Sequence, residues 1–141
     1  MFEVINRQRR RKINAKQWRE FMETAIGALP TEKREATVVF VNDAAIRKLN
    51  REFRDRDYAT DVLSFPSHAE PFETEAQFHL GEVVISVERA EEQARQNNLR
   101  LENEIQQLIL HGLLHLCGYD HETDNGEMNR LELKLRRKLG I

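Results

Sequence analysis

Three of the five histidines in this 141-residue chain fall within eleven residues, at the end of its most apolar stretch: His111-Gly112-Leu113-Leu114-His115-Leu116-Cys117-Gly118-Tyr119-Asp120-His121. From about Leu101 to Leu116, the residues Ile105, Leu108, Ile109, Leu113 and Leu116 cover much of a helix's circumference. A helix apolar on most sides belongs inside the protein. Four residues advance a helix by about 400° and roughly 6 Å, so His111 and His115 leave one face a turn apart. Gly118 allows a left-handed stop, after which the chain folds back and brings His121 round. Polar rings in so apolar a helix need partners, because unsatisfied burial is costly. Three neutral imidazoles with an open fourth position make a catalytic rather than a structural zinc site. The expectation is one Zn2+ per chain, held by His111, His115 and His121. Cys117 lies two residues beyond His115 and faces away from that stripe; it is expected to be a small buried thiol, not a ligand.

Around this helix the pattern alternates. Residues 2–6 suit a strand, and Trp18, Phe21, Met22, Ala25 and Ile26 predict a helix ending near Gly27 and Pro30. Residues 36–41 are a β-prone run, and Asn42 or Asp43 can cap a following helix through Ile46, Leu49 and Phe53. Residues 61–65 form a short strand stopped by Pro66, and residues 67–79 a surface loop. Leu80 to Val87 is another strand, with Ser86 placed to cap a helix that runs to about Asn97. Asp124 opens the last helix, with Glu127 three residues on in capping-box fashion and Met128, Leu131 and Leu135 on the inner face. Strands and helices interleave early and helices dominate late. This predicts one α+β domain over residues 1–141, a small mixed β-sheet packed against helices, with the histidine-bearing helix arranged as in zincins.

Composition excludes some classes. No apolar run approaches the roughly 18 residues needed to cross a bilayer, so no membrane role is expected. A single cysteine rules out an internal disulfide and suits a reducing compartment. The N-terminus lacks the charged-then-apolar order of a secretory signal, and a cytoplasmic location is expected. The net charge of -2 gives no global sign of a nucleic-acid binder. Yet Arg7, Arg9, Arg10, Arg11, Lys12, Lys16 and Arg19 crowd the first nineteen residues, against Glu3 alone. Such a cluster is either a solvated face or a patch for phosphates.

The spacing His-x-x-x-His-x-x-Gly-x-x-His is shared with the metzincin proteases. In those enzymes a Glu directly after the first histidine is the general base, and here that position is Gly112. A peptidase mechanism thereby loses its base, whereas a metal can still activate water or polarise a phosphoryl oxygen. Three segments, Thr60-Asp61-Val62-Leu63-Ser64-Phe65-Pro66, Leu80-Gly81-Glu82-Val83-Val84-Ile85-Ser86 and the His111–His121 block, resemble the YbeY family of bacterial metallo-endoribonucleases of ribosomal RNA maturation. With their flanking helices they span nearly the whole chain; Glu82 stands where many relatives have Asp.

The resemblance implies a zinc-dependent endoribonuclease, a hydrolase of phosphodiester bonds, with His111, His115 and His121 as ligands. It implies single-stranded RNA as substrate and a part in 16S rRNA 3′-end maturation and ribosome quality control. The implied partners are the 16S rRNA precursor and the ribosome or small-subunit proteins, with no DNA. Arg54, six residues before Thr60, falls at the family's functionally important arginine. Its planar, permanently charged fork suits phosphate binding and the stabilisation of charge on a phosphoryl oxygen. The competing functions are a ribosome-assembly factor with a mainly structural zinc, and a metallohydrolase of another bond. Phe53 and Tyr58 flank Arg54 and either stack bases or serve packing. Asp61 and Asp120 each remain open between orienting a metal ligand and an ordinary strand-start or turn role.

Overall fold

The computed structural model describes residues 2–32, 35–67 and 79–141. The elements run β1 (Phe2–Asn6), α1 (Ala15–Gly27), β2 (Glu35–Val41), α2 (Asp43–Arg54), β3 (Val62–Pro66), β4 (His79–Ser86), α3 (Val87–Gln96), α4 (Leu101–Leu116) and α5 (Glu127–Leu139). The loop expected over residues 67–79 falls, apart from its two ends, outside the described residues.

The four strands form one sheet in the order β1-β2-β4-β3. β2 runs parallel to both its neighbours, β1 and β4, and β3 runs antiparallel along β4. Strand alternation gives the sheet two apolar faces. Ala36, Val38, Phe40, Val83 and Ile85 enter the larger core beneath α1, α3, α4 and α5. Val41 and Val84 face the other way, where α2 covers them with Ile46 and Leu49. The expected α+β architecture, a small mixed sheet against helices, is therefore what the chain adopts.

α4 is the central helix of the larger core, with Ile109, Leu110, Leu113 and Leu114 all fully buried. Each such side chain stabilises the fold by about 1.5–3 kcal/mol relative to exposure. The helix lies unusually close to the sheet at Gly112, where a Cβ would stand 2.7 Å from Val83 Cγ1 and 3.2 Å from Ser64 Oγ. Ser64 Oγ donates to the Gly112 carbonyl at 3.1 Å, tying β3 to the helix.

Most caps are as the sequence implies. Asn42 Oδ1 accepts from Ala45 N–H, and Ser86 Oγ from Arg89 N–H. Gly118 takes φ +96° just after α4. The start of α5 differs. Gly126 adopts φ +94° and becomes the cap residue, so the helix begins at Glu127 rather than after Asp124. Asp124 reaches over this extra turn and accepts from the N–H groups of Gly126 and Met128, both at 2.9 Å. The buried stripe is Met128, Glu132 and Leu135, with Leu131 only half-buried. A glutamate therefore occupies the inner face.

Candidate metal centre

α4 carries His111 and His115 out of the core on one side, and the turn after Gly118 returns His121 to them. Ring centroids lie 4.7 Å apart for His111–His115 and 5.6 Å for each pairing with His121. One nitrogen from each ring lies within 4.8 Å of the others. Asp120 organises the returning turn: its carboxylate accepts from Glu122 N–H and its carbonyl from Thr123 and Asp124 N–H. Its role is that of a turn residue.

The remaining ring nitrogens are held by acceptors. His115 Nδ1 lies 2.9 Å from the Tyr119 carbonyl, which can only accept, so that nitrogen carries the proton. His111 Nδ1 lies 2.6 Å from Glu132 Oε1, and Glu132 Oε2 accepts from Arg136 Nη2 at 3.1 Å. Burial pushes the Glu132 carboxyl up, but the hydrogen bond and charge of His111, with Arg136, outweigh it and hold the group below its ordinary value. It is an anion, and His111 Nδ1 donates to it. Burial, followed by the neighbouring His111 ring, lowers the His115 pKa and keeps that imidazole neutral near pH 7.

The two Nε2 atoms face each other at 3.2 Å; with both rings neutral, as metal ligands must be, each presents a lone pair there. Two lone pairs at that distance repel unless a cation lies between them. Two nitrogens on a tetrahedral zinc, each at about 2.05 Å, stand about 3.3 Å apart. Three imidazoles suit a metal ion, and the His111–His115 separation matches that of two nitrogens sharing one. Cys117 is half-buried against the core and is not among the converging groups.

The imidazoles line a cavity of about 220 Å³ whose wall also includes Arg54, Arg56, Tyr58, Ser64 and Glu122. A second cavity of about 310 Å³ shares Arg54, Arg56, Ser64, His115, His121 and Glu122, so the two form a continuous trough. Arg54 is the last residue of α2. The chain turns there through Asp55 at φ +56°. The loop beyond is pinned by Asn50, which donates to the Tyr58 carbonyl, and by the Arg47–Asp57 ion pair. Arg54 Nη2 donates to the Ser64 carbonyl at 3.2 Å, the one hydrogen bond its guanidinium makes among the described residues.

Other expectations separate. Tyr58 lines the cavity, whereas Phe53 packs edge-on against Phe65 at 5.3 Å beside a different groove. Asp61 does not orient a histidine: its oxygens accept from Val62 N–H and Gln93 Nε2. No residue of the N-terminal basic cluster lines the trough. Arg10 and Arg11 instead grip Glu91 of α3, which is only 8% exposed. The contact missed from the sequence is Glu132, whose one visible signal was a charged residue between Met128 and Leu135 on a helix's inner stripe.

Fold and site together define a small α+β domain that presents a candidate three-histidine metal centre to an open trough. The chain belongs to the Endoribonuclease YbeY family, whose sequence profile matches residues 3–140. Endoribonuclease YbeY from Solibacter usitatus is 50% identical over 103 residues, which is 73% of this chain and 65% of that protein. The namesake from Aquifex aeolicus is 40% identical over 124 residues, 88% of this chain and 81% of that one. The solution structure of TM1509 from Thermotoga maritima superposes with a TM-score of 0.64 at 29% identity, covering 99% of this chain and 89% of the other.

Proposed function

We propose that this chain is a zinc-dependent endoribonuclease that cleaves single-stranded RNA in the trough, with His111, His115 and His121 holding the ion. The observation that carries the reading is the convergence of three imidazole nitrogens within 4.8 Å on the wall of an open cavity. A structural zinc has four protein ligands and is closed off; three with an open side suit catalysis. The names of the relatives support RNA as the substrate.

When bound, the ion supplies Lewis acidity toward a phosphoryl oxygen or a water. The chain's own groups do the rest. His115 stays neutral and its proton stays on Nδ1, donated to the Tyr119 carbonyl, leaving Nε2 free to ligate. Arg54, steadied through Ser64, offers its remaining N–H groups to non-bridging phosphate oxygens and stabilises charge growing there. Arg56, on the same wall, attracts the backbone, and the half-exposed Tyr58 ring offers a face to an unpaired base. Position 112 has no room for a protease's glutamate, because a Cβ there would meet Val83. This favours phosphodiester over peptide hydrolysis. Within the cell we assign the activity to the cytoplasm, on the 3′ end of the 16S rRNA precursor and in ribosome quality control, alongside small-subunit proteins.

The test is His115→Ala beside wild type, with metal content, circular dichroism and cleavage of single-stranded RNA, duplex RNA and peptide measured together. The expected outcome is a folded variant that loses zinc and single-strand cleavage at once. A folded variant without zinc that cleaves normally refutes the metal mechanism. Unfolding of the whole domain favours a structural zinc.

A further inference from the structure

We propose that Glu132 is a positioning residue of the metal centre: its carboxylate keeps the His111 proton on Nδ1, aims Nε2 at the ion and sets a negative charge behind it. This rests on the metal reading given above and adds a residue 21 positions further along the chain, on a different helix. Four observations carry it.

Glu132 is only 8% exposed and lies on the inner stripe of α5, between Met128 and Leu135. A leucine or methionine there would pack without desolvating a charge, so a buried carboxylate calls for a partner that uses it. Both of its oxygens are engaged, Oε1 with His111 Nδ1 at 2.6 Å and Oε2 with Arg136 Nη2 at 3.1 Å. Bonding both oxygens fixes the plane of the carboxylate, and through it the plane of the His111 ring. The three candidate ligands are also held unequally. His115 donates to a neutral carbonyl, and the His121 ring has no hydrogen bond among the described residues. Glu132 is thus the one anion hydrogen-bonded to a candidate ligand among those residues. Finally, Asp61 and Asp120, the two carboxylates left open from the sequence as orienting groups, are committed to Gln93 and to the turn.

A carboxylate behind an imidazole raises the basicity of the opposite nitrogen and fixes its tautomer, and its loss costs metal affinity. Because Glu132 belongs to α5, it also links ion binding to the seating of the last helix. Arg136, one turn on, holds the far oxygen and prevents Glu132 from swinging away.

The experiment compares full-length wild type, Glu132→Gln and Glu132→Ala. Zinc dissociation constants come from competition with a chromophoric chelator, and the His111 tautomer of the metal-free proteins from long-range 1H–15N spectra. Glu132→Ala is expected to weaken zinc binding by about 10–100-fold and to release the His111 proton from Nδ1. Glu132→Gln keeps an oxygen acceptor and the shape but not the charge, so it retains the tautomer and shows a smaller loss of affinity. A purely structural Glu132 would lower thermal stability yet leave both the zinc dissociation constant and the tautomer unchanged. Wild-type affinity in folded Glu132→Gln overturns the proposal, and that variant decides alone should Glu132→Ala fail to fold. If wild type itself binds no zinc, the metal reading falls and this role with it. If wild type binds and the variants bind equally well, only the role of Glu132 falls.

Discussion

Gly112→Ala sets two effects of opposite sign against each other. In the middle of a helix, alanine is favoured over glycine by about 1 kcal/mol, so propensity alone says the change stabilises. Packing says otherwise. The new Cβ would stand 2.7 Å from Val83 Cγ1 and 3.0 Å from Cγ2. Val83 is fully buried on β4, which is paired on both sides. Rotating its χ1 by about 120° moves one methyl away but leaves the other in one of the two close positions, so the relief is only partial. α4 must therefore lift from the sheet, at an overpacking cost of about 1–3 kcal/mol. The same shift stretches the Ser64–Gly112 hydrogen bond, worth about 1 kcal/mol in a buried setting. The net expectation is a loss of about 2 kcal/mol, or roughly 6 °C in Tm for a domain of this size. Thermal unfolding followed by circular dichroism measures it directly. Adding Val83→Ala should then cost about 1 kcal/mol less than it does in the wild-type chain, a favourable coupling between the two sites. An unchanged or higher Tm for Gly112→Ala would show that the helix–sheet approach is not as tight as these distances say, and would reopen position 112 to a side chain.

Two further outcomes follow from the site and from the N-terminal arm. Arg54→Ala should keep its fold and zinc but lose cleavage by about a hundredfold, and Arg54→Lys should recover little because a point charge lacks the two-pronged contact; near-normal single-turnover cleavage by Arg54→Ala removes it from the mechanism. Burial raises the Glu91 carboxyl, but hydrogen bonds from Arg11 and Arg10 outweigh it and leave its pKa lowered, so its contribution is present above the ordinary carboxylate value of roughly 4 and fades as the pH falls through the folded value. Glu91→Gln should accordingly lower Tm at pH 7 by more than at pH 3, and an equal loss at both would contradict the ion-pair account.

Much of the candidate site was legible because helix geometry is local. The spacing of His111 and His115 fixes their common face wherever the helix is placed, and Gly118 marks where the chain can turn back for His121. The bounds of α4, the caps at Asn42 and Ser86 and the β-prone run over residues 36–41 are of the same kind, since each depends on residues within a turn or a strand. The resemblance of three short segments named the family, and it singled out Arg54, which no local pattern would have marked.

The remainder depended on which distant residues meet. Glu132 reaches His111 only because α5 docks beside α4; Leu131 packs half-buried against the core as its period implies, but the same inner stripe also carries Glu132 inward. Asp61 and Asp120, adjacent to the motifs in sequence, bond elsewhere. Arg10 and Arg11, which formed part of a basic cluster along the chain, are drawn to Glu91 eighty or so positions away. The demand for glycine at position 112 comes from Val83 on β4. The sequence alone determined the periodic elements, the histidine face and the family, because those follow from backbone geometry and short-range spacing. Tertiary packing decided the partners of buried charges and the closest contacts, because desolvation makes a charge seek whatever opposite group the fold brings near, and nothing local says which group that will be.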